Sequence, residues 1–203
     1  MPGIAYVILV SMRVIAGSLR RRTLKAPGGL VTRPTSDRLR ETLFNVLAPR
    51  IEGAYFLDLY AGSGAVGIEA LSRGAAHVTF VERGVSTLQV LRANLQRLDV
   101  TESFRVEPVS VTAFLRRARP AGMRGFDLVF LDPPYDAGEE YWSALGQLGA
   151  AGALLAKEAL VVAEHRRKEP LQADYGELAR TRLLQQGDSA LSFYCRRAGP
   201  PSE

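Results

Sequence analysis

The chain has 203 residues, 47% hydrophobic and 23% charged, with a formal net charge of +5. That is the ordinary balance of a soluble globular protein and enough chain for one domain with a sizeable core. Cys195 is the single cysteine, which excludes an internal disulfide, and no apolar run approaches the ~20 residues that span a membrane.

Residues 1–11 (MPGIAYVILVS) are apolar and lack the basic start of a signal peptide. They read as a non-native or disordered extension ahead of a start at Met12. Arg13–Gly17 and Arg22–Lys25 read as two short strands around a basic turn, a small N-terminal β-hairpin over about residues 12–30. Pro27-Gly28-Gly29 then breaks the chain. From Met12 to Arg50 nine basic residues face only Asp37 and Glu41, so this segment carries +7 and the remainder about −2. Such a basic first quarter on a near-neutral body suits a polyanion.

Residues 36–48 read as a helix with Leu39, Leu43, Val46 and Leu47 on one face, capped by Thr35 or Ser36. Strand-like runs follow at Tyr55–Leu59, His77–Glu82, Phe104–Ser110, Phe126–Asp132 and Ala159–His165, with helical stretches between them, clearest over 86–98. Repeated strand–helix units predict a parallel sheet covered on both faces. Leu178–Leu184 and Ala190–Arg196, joined through Gly187-Asp188, predict a closing hairpin and an antiparallel edge. The expectation is one α/β domain over 12–196 and a disordered tail over 197–203.

Two loops at carboxyl ends of strands carry chemistry, because ligands of open α/β sheets bind there. The first is Asp58-Leu59-Tyr60-Ala61-Gly62-Ser63-Gly64-Ala65-Val66-Gly67, a G-x-G-x-x-G between strand and helix, with Glu82 twenty residues after Gly62. Glycines permit the tight turn, and an acid at that distance holds a ribose diol. Asp58 would repel a pyrophosphate but favours the ammonium and sulfonium of S-adenosylmethionine. The second loop, Asp132-Pro133-Pro134-Tyr135, closes an apolar strand. Its prolines stiffen the backbone and fix acceptors for an amine of a nucleobase. Localising the amine's lone pair makes it nucleophilic, and Tyr135 can stack on a base drawn out of its helix or loop.

Together these two loops resemble the class I methyltransferases that act on exocyclic amines of bases. The run Arg33-Pro34-Thr35-Ser36-Asp37-Arg38-Leu39-Arg40-Glu41-Thr42-Leu43-Phe44-Asn45, with Met12 to Arg22, resembles the RsmD family of bacterial 16S rRNA guanine-N2 methyltransferases. The resemblance spans Met12 to Arg196. It implies a Rossmann-like seven-stranded mixed sheet with its last strand antiparallel. S-adenosylmethionine would sit against Asp58, Ala61, Gly62, Gly64 and Glu82, with Arg33 and Thr35 closing over its methionine end. Asp132, Pro133, Pro134 and Tyr135 would be catalytic. Arg20, Arg21, Arg22, Lys25 and Arg38 would hold 16S rRNA, in the small subunit or an assembly intermediate, for a cytoplasmic monomer without metal. The family often has Asp or Asn at the end of the third strand to meet adenine; here the position falls on Ser110. The competing readings are an adenine-N6 methyltransferase acting on DNA or another RNA, a dehydrogenase, and an RNA-binding factor with a dead enzyme core. His77 and His165 read as ordinary sheet residues.

Overall fold

The computed structural model describes residues 12–26, 37–117, 124–134, 138–150 and 154–197. Residues 1–11 and 198–203, and with them the expectations about the two ends, lie outside these, as do Thr35 and Ser36. Helix α1 (Asp37–Ile51) is longer than its periodicity suggested, because Ile51 beyond Pro49 still reaches the core. Then come β1 (Tyr55–Leu59), α2 (Ala65–Ser72), β2 (His77–Val81), α3 (Val85–Arg97), β3 (Phe104–Glu107), α4 (Val111–Leu115), β4 (Phe126–Leu131) and α5 (Gly138–Ala150). The chain finishes with β5 (Leu155–Arg166), β6 (Asp174–Tyr175), β7 (Leu178–Gln186) and β8 (Ser189–Arg196).

One sheet runs in the order β3-β2-β1-β4-β5-β8-β7-β6. The pairs from β3 through β5 are parallel, and β8 is antiparallel to both β5 and β7. One expectation is corrected. The sheet has eight strands rather than seven, because Asp174–Tyr175 turns through Gly176 to pair with Leu178–Ala179; two residues are too few to show a period. The final strand is antiparallel, as expected, and inserts between β5 and β7. The β7–β8 turn is tight, with only Gly187-Asp188 between the strands and Gly187 at φ 60°.

Each sheet face buries its own core, because side chains alternate along a strand. Phe56, Val78, Phe80, Leu128, Phe130, Leu160 and Val162 meet α1, α2 and α3. Leu57, Leu59, Val81, Val129, Leu131, Val161 and Ala163 meet α4 and α5. The N-terminal segment is held as a hairpin by a single bridge, Arg13 to Thr23, rather than by two regular strands. Leu24 N–H donates to the Met12 carbonyl and Val14 N–H to that of Arg22. The hairpin docks on α2, where the buried Glu69 carboxylate accepts from Ile15 N–H (2.7 Å) and Ala16 N–H (3.0 Å). Ser18 N–H reaches the Ser72 carbonyl, and Leu19 N–H its hydroxyl.

Candidate active site

A cavity of about 600 Å³ opens at the carboxyl ends of β1, β2 and β4. The turn from β1 into α2 needs three left-handed residues, Tyr60 (φ 60°), Gly62 (φ 55°) and Gly64 (φ 80°). Gly64 N–H closes the turn onto the Ala61 carbonyl, and Ala61 N–H ties it to the end of β2 at Val81. Gly67, the third glycine, lets α2 lie against β2: a Cβ there would come within 2.3 Å of the Phe80 ring. Asn94 of α3 braces the loop from behind, donating to the Ser63 and Lys25 carbonyls and accepting from Lys25 N–H.

Asp58 is buried at the end of β1, and its Oδ2 accepts from Gly67 N–H at 2.9 Å. It therefore supplies the cap that Gly64, without a side chain, cannot give α2. Burial raises its pKa to about 7, against the pull of the Gly67 N–H and with help from Glu82. Glu82 accepts from Gly62 N–H (2.8 Å) and Gly84 N–H (2.7 Å), so its carboxylate faces the cavity in one fixed orientation. Each oxygen keeps a lone pair for a diol.

Asp132, Pro133 and Pro134 follow β4 and line the same cavity as Asp58, Ala61, Gly62, Glu82 and Ser110. Burial, then Glu164, then Asp58 hold the Asp132 carboxyl well above the usual carboxylate range. Pro133 is buried and Pro134 exposed. Ser110 Oγ accepts from Ala113 N–H at 3.2 Å to cap α4, and its own proton is free to be donated. Glu107, the acid that does end β3, is ion-paired with Arg105 and Arg117 and does not line the cavity. Gly64 supports the loop from below without lining the cavity: its Cβ would meet Leu91 at 2.3 Å. Arg33, Thr35 and Tyr135 lie outside the described residues.

Sequence reasoning missed further lining residues, among them Tyr60, Arg83 and Glu140. Arg83 lies 3.6 Å from Glu140, with Tyr60 lining the cavity beside them, joining the ends of β1 and β2 to the first turn of α5. Only Tyr60 carried a signal, as the third residue of D-x-Y-A-G-S-G.

The charge around the cavity tests which ligand fits. Among the described residues, Asp58, Glu82, Asp132, Glu139 and Glu140 line it against Arg83 alone. The Gly67 N–H near the α2 terminus, where a pyrophosphate would bind, is already taken by Asp58. A dinucleotide is disfavoured, and a cationic nucleoside such as S-adenosylmethionine fits.

The basic residues separate into groups. Arg20, Arg21, Lys25 and Arg38 are exposed. Arg22 is exposed but donates to the Arg97 carbonyl (2.9 Å) and lies 3.7 Å from Asp99. Arg40, counted with the basic segment, is 0% exposed and serves the fold: it reaches the Arg13 carbonyl and Asp37, with Glu69 at 3.9 Å. Its Nε and Nη1 have no hydrogen-bond partner among the described residues. His165 is buried on β5 between Ser192 Oγ and two backbone carbonyls, and the His77 ring lies against Tyr55, so both histidines are sheet residues.

Residues 12–195 match the family described as Conserved hypothetical protein 95. A Bacillus subtilis protein named as a candidate rRNA methyltransferase, YlbH, is 40% identical over 92% of this chain and 100% of its own length. Ribosomal RNA small subunit methyltransferase D of Escherichia coli is 37% identical over 95% of this chain and 93% of its own. A solved structure of a candidate methyltransferase of Escherichia coli, YhhF, superposes with a TM-score of 0.81 and 35% identity, covering 93% of this chain and 99% of that one. With a glycine loop, an acid after β2 and an Asp-Pro-Pro terminus converging on one acidic cavity, the chain belongs to the Conserved hypothetical protein 95 family, the RsmD family of class I methyltransferases.

Proposed function

We propose that the protein transfers a methyl group from S-adenosylmethionine to the exocyclic N2 amine of a guanine in 16S rRNA, within the small ribosomal subunit or its assembly intermediate. The observation that carries this reading is that Asp132-Pro133-Pro134 and the Asp58–Glu82 loop system open into one cavity. When bound, the cofactor supplies an electrophilic methyl on a positively charged sulfur.

The rest is work for the chain's own residues. Glu82 takes the ribose hydroxyls, and Asp58 favours the ligand's positive charge. Ser110 accepts from the adenine amine, and Arg33 and Thr35 close over the methionine end. The Asp132 carboxylate and the Pro133 carbonyl accept the two hydrogens of the amine, which localises the nitrogen lone pair for in-line attack. Because the prolines hold these acceptors in place, little reorganisation is needed. The raised proton affinity of Asp132 suits it to take the proton that the amine loses. Tyr135 stacks on the extruded base. Arg20, Arg21, Lys25 and Arg38 hold phosphates, with Arg22 a weaker contributor. The protein acts as a monomer in the cytoplasm; no helix among the described residues is long and apolar enough to cross a membrane.

The test is methyl transfer to small subunits lacking the modification, beside naked 16S rRNA and duplex DNA, with nucleoside mass spectrometry of the product. N2-methylguanosine from the subunits is expected. N6-methyladenine in the DNA would keep the chemistry and replace the target. Asp132→Ala should abolish transfer and leave RNA affinity within about twofold, since phosphate contacts dominate affinity. Equal loss of both would make the loop structural.

A further inference from the structure

Trp142, the only tryptophan of the chain, is 65% exposed near the start of α5, the helix that follows the catalytic loop. Its indole joins neither core cluster. Val85 and Leu183 are the other large apolar side chains exposed among the described residues, and neither offers a π face. Helical geometry fixes the flank that Trp142 occupies. Glu140 faces Arg83 at 3.6 Å, on the side of β2. Tyr141 faces the end of β5, its hydroxyl donating to the Glu164 carbonyl at 2.6 Å. At about 100° per residue, Trp142 comes about 200° round from Glu140, on the flank away from β2 and past the side held to β5.

A basic turn stands at that end of β5. Because β5 runs parallel to β4 and ends at Arg166, the turn Arg166-Arg167-Lys168-Glu169 leaves the sheet at the same edge as Asp132-Pro133-Pro134. All four of its residues are exposed. Arg166 pairs with Glu169 at 3.2 Å, whereas Arg167 and Lys168 are in no ion pair among the described residues. The backbone of the turn is fixed: Glu169 N–H donates to the Arg166 carbonyl (3.0 Å) and Arg167 N–H to that of Asp188 in the β7–β8 turn (2.8 Å).

The arginines at the hairpin tip leave this rim uncovered. Arg22 is tied to the Arg97 carbonyl at the end of α3, and Ser18 to Ser72 at the end of α2. The cavity lies at the other end of α3, where Glu82 accepts from Gly84 N–H. Since α3 has 13 residues, the tip stands about 20 Å from the cavity. The hairpin also packs on the sheet face of α1, α2 and α3, and α5 on the other. An RNA strand held at both places crosses the carboxyl edge of the sheet, over the catalytic loop.

We propose that Trp142 and the Arg167-Lys168 turn form a second RNA contact at the rim of the active site. Trp142 stacks on a single-stranded base neighbouring the methylated nucleotide, and Arg167 and Lys168 hold its phosphates. Stacking on an exposed aromatic tolerates any base, and cations beside it track the backbone. The contact fixes the strand next to the cavity and takes no part in the methyl transfer itself. The identity of the RNA rests on the function proposed above; the contact does not.

The single tryptophan makes the test direct. A short single-stranded oligoribonucleotide of mixed sequence should quench Trp142 fluorescence, and inorganic polyphosphate, which has charge without bases, should not. Trp142→Ala should weaken filter binding of 16S rRNA about tenfold and Trp142→Phe less. Arg167→Ser with Lys168→Ser should lower the slope of log affinity against log salt by about 1–2. No quenching, equal quenching by polyphosphate, or unchanged affinity of Trp142→Ala overturns the stacking. An unchanged salt slope overturns the phosphate contact. Fluorescence that changes with protein concentration alone assigns the flank to a second copy of the chain and overturns the proposal. Quenching and weakened binding without methyl transfer by the unaltered protein would overturn the function reading and uphold the contact.

Discussion

Asp58 shows how one side chain can hold a loop and set a pH dependence. Its cap to Gly67 needs only an acceptor, whereas its burial penalises the charge. With the pKa at 3.8 unfolded and about 7 folded, the folded state binds the proton more tightly. Its contribution is therefore fully present below pH 3.8 and is lost as pH rises through 7, by about 4 kcal/mol in all. Asp58→Asn keeps the acceptor and removes the titration. Urea denaturation at pH 4 to 8 should show the unaltered protein losing stability relative to Asp58→Asn as pH rises. A constant difference across that range would mean that Asp58 ionises normally.

At the level of elements, the hairpin is the most separable part of the fold. It is attached through Glu69 and Ser72 of α2 and through Arg40 of α1 to the Arg13 carbonyl. Glu69 is itself paired with Arg73 at 2.7 Å, so a buried charge network attaches the hairpin beside the core contacts of Met12, Val14 and Leu24. Gly17 is the close approach: at φ 82°, its Cβ would come 1.8 Å from the Ser72 carbonyl oxygen. Gly17→Ala should cost about 1–3 kcal/mol, and the loss should be local. Hydrogen exchange should accelerate at the amides of Ile15, Ala16, Ser18 and Leu19 and stay slow in β1 and β4. Uniform acceleration would mean that the hairpin and sheet unfold as one unit.

For the whole molecule, the question is how the net charge of +5 is used. The cavity is acidic and the hairpin tip basic, so the two regions suit opposite partners, a cationic cofactor and a polyanion. Each phosphate neutralised adds roughly 0.7–0.9 to the slope of log affinity against log salt. Replacing Arg20 and Arg21 by Ser should reduce that slope by about 1–2. Replacing Arg22 should reduce it less, because its guanidinium is already directed to Arg97 and Asp99. Filter binding of 16S rRNA between low and moderate salt makes the comparison; an unchanged slope would move the RNA surface away from the hairpin tip.

Local patterns were enough for the alternation of strands and helices, the bounds of β1, the glycine turn and the stiff Asp-Pro-Pro terminus, because each rests on periodicity or on backbone limits acting over a few neighbours. They also placed Asp58, Glu82 and Asp132 at strand ends, where the structure brings them into one cavity. What no local pattern carries is who lies beside whom across the sheet. Arg40 reads as one more cation in a basic run, yet packing takes it to 0% exposure beside Glu69. The insertion of β8 between β5 and β7, the contact of Glu140 with Arg83, and the placing of Ala163 beside Leu131 join residues far apart in the chain. Tertiary structure alone decided these, because the long-range pairing that sets their register is stabilised by the assembled core and not by any segment by itself.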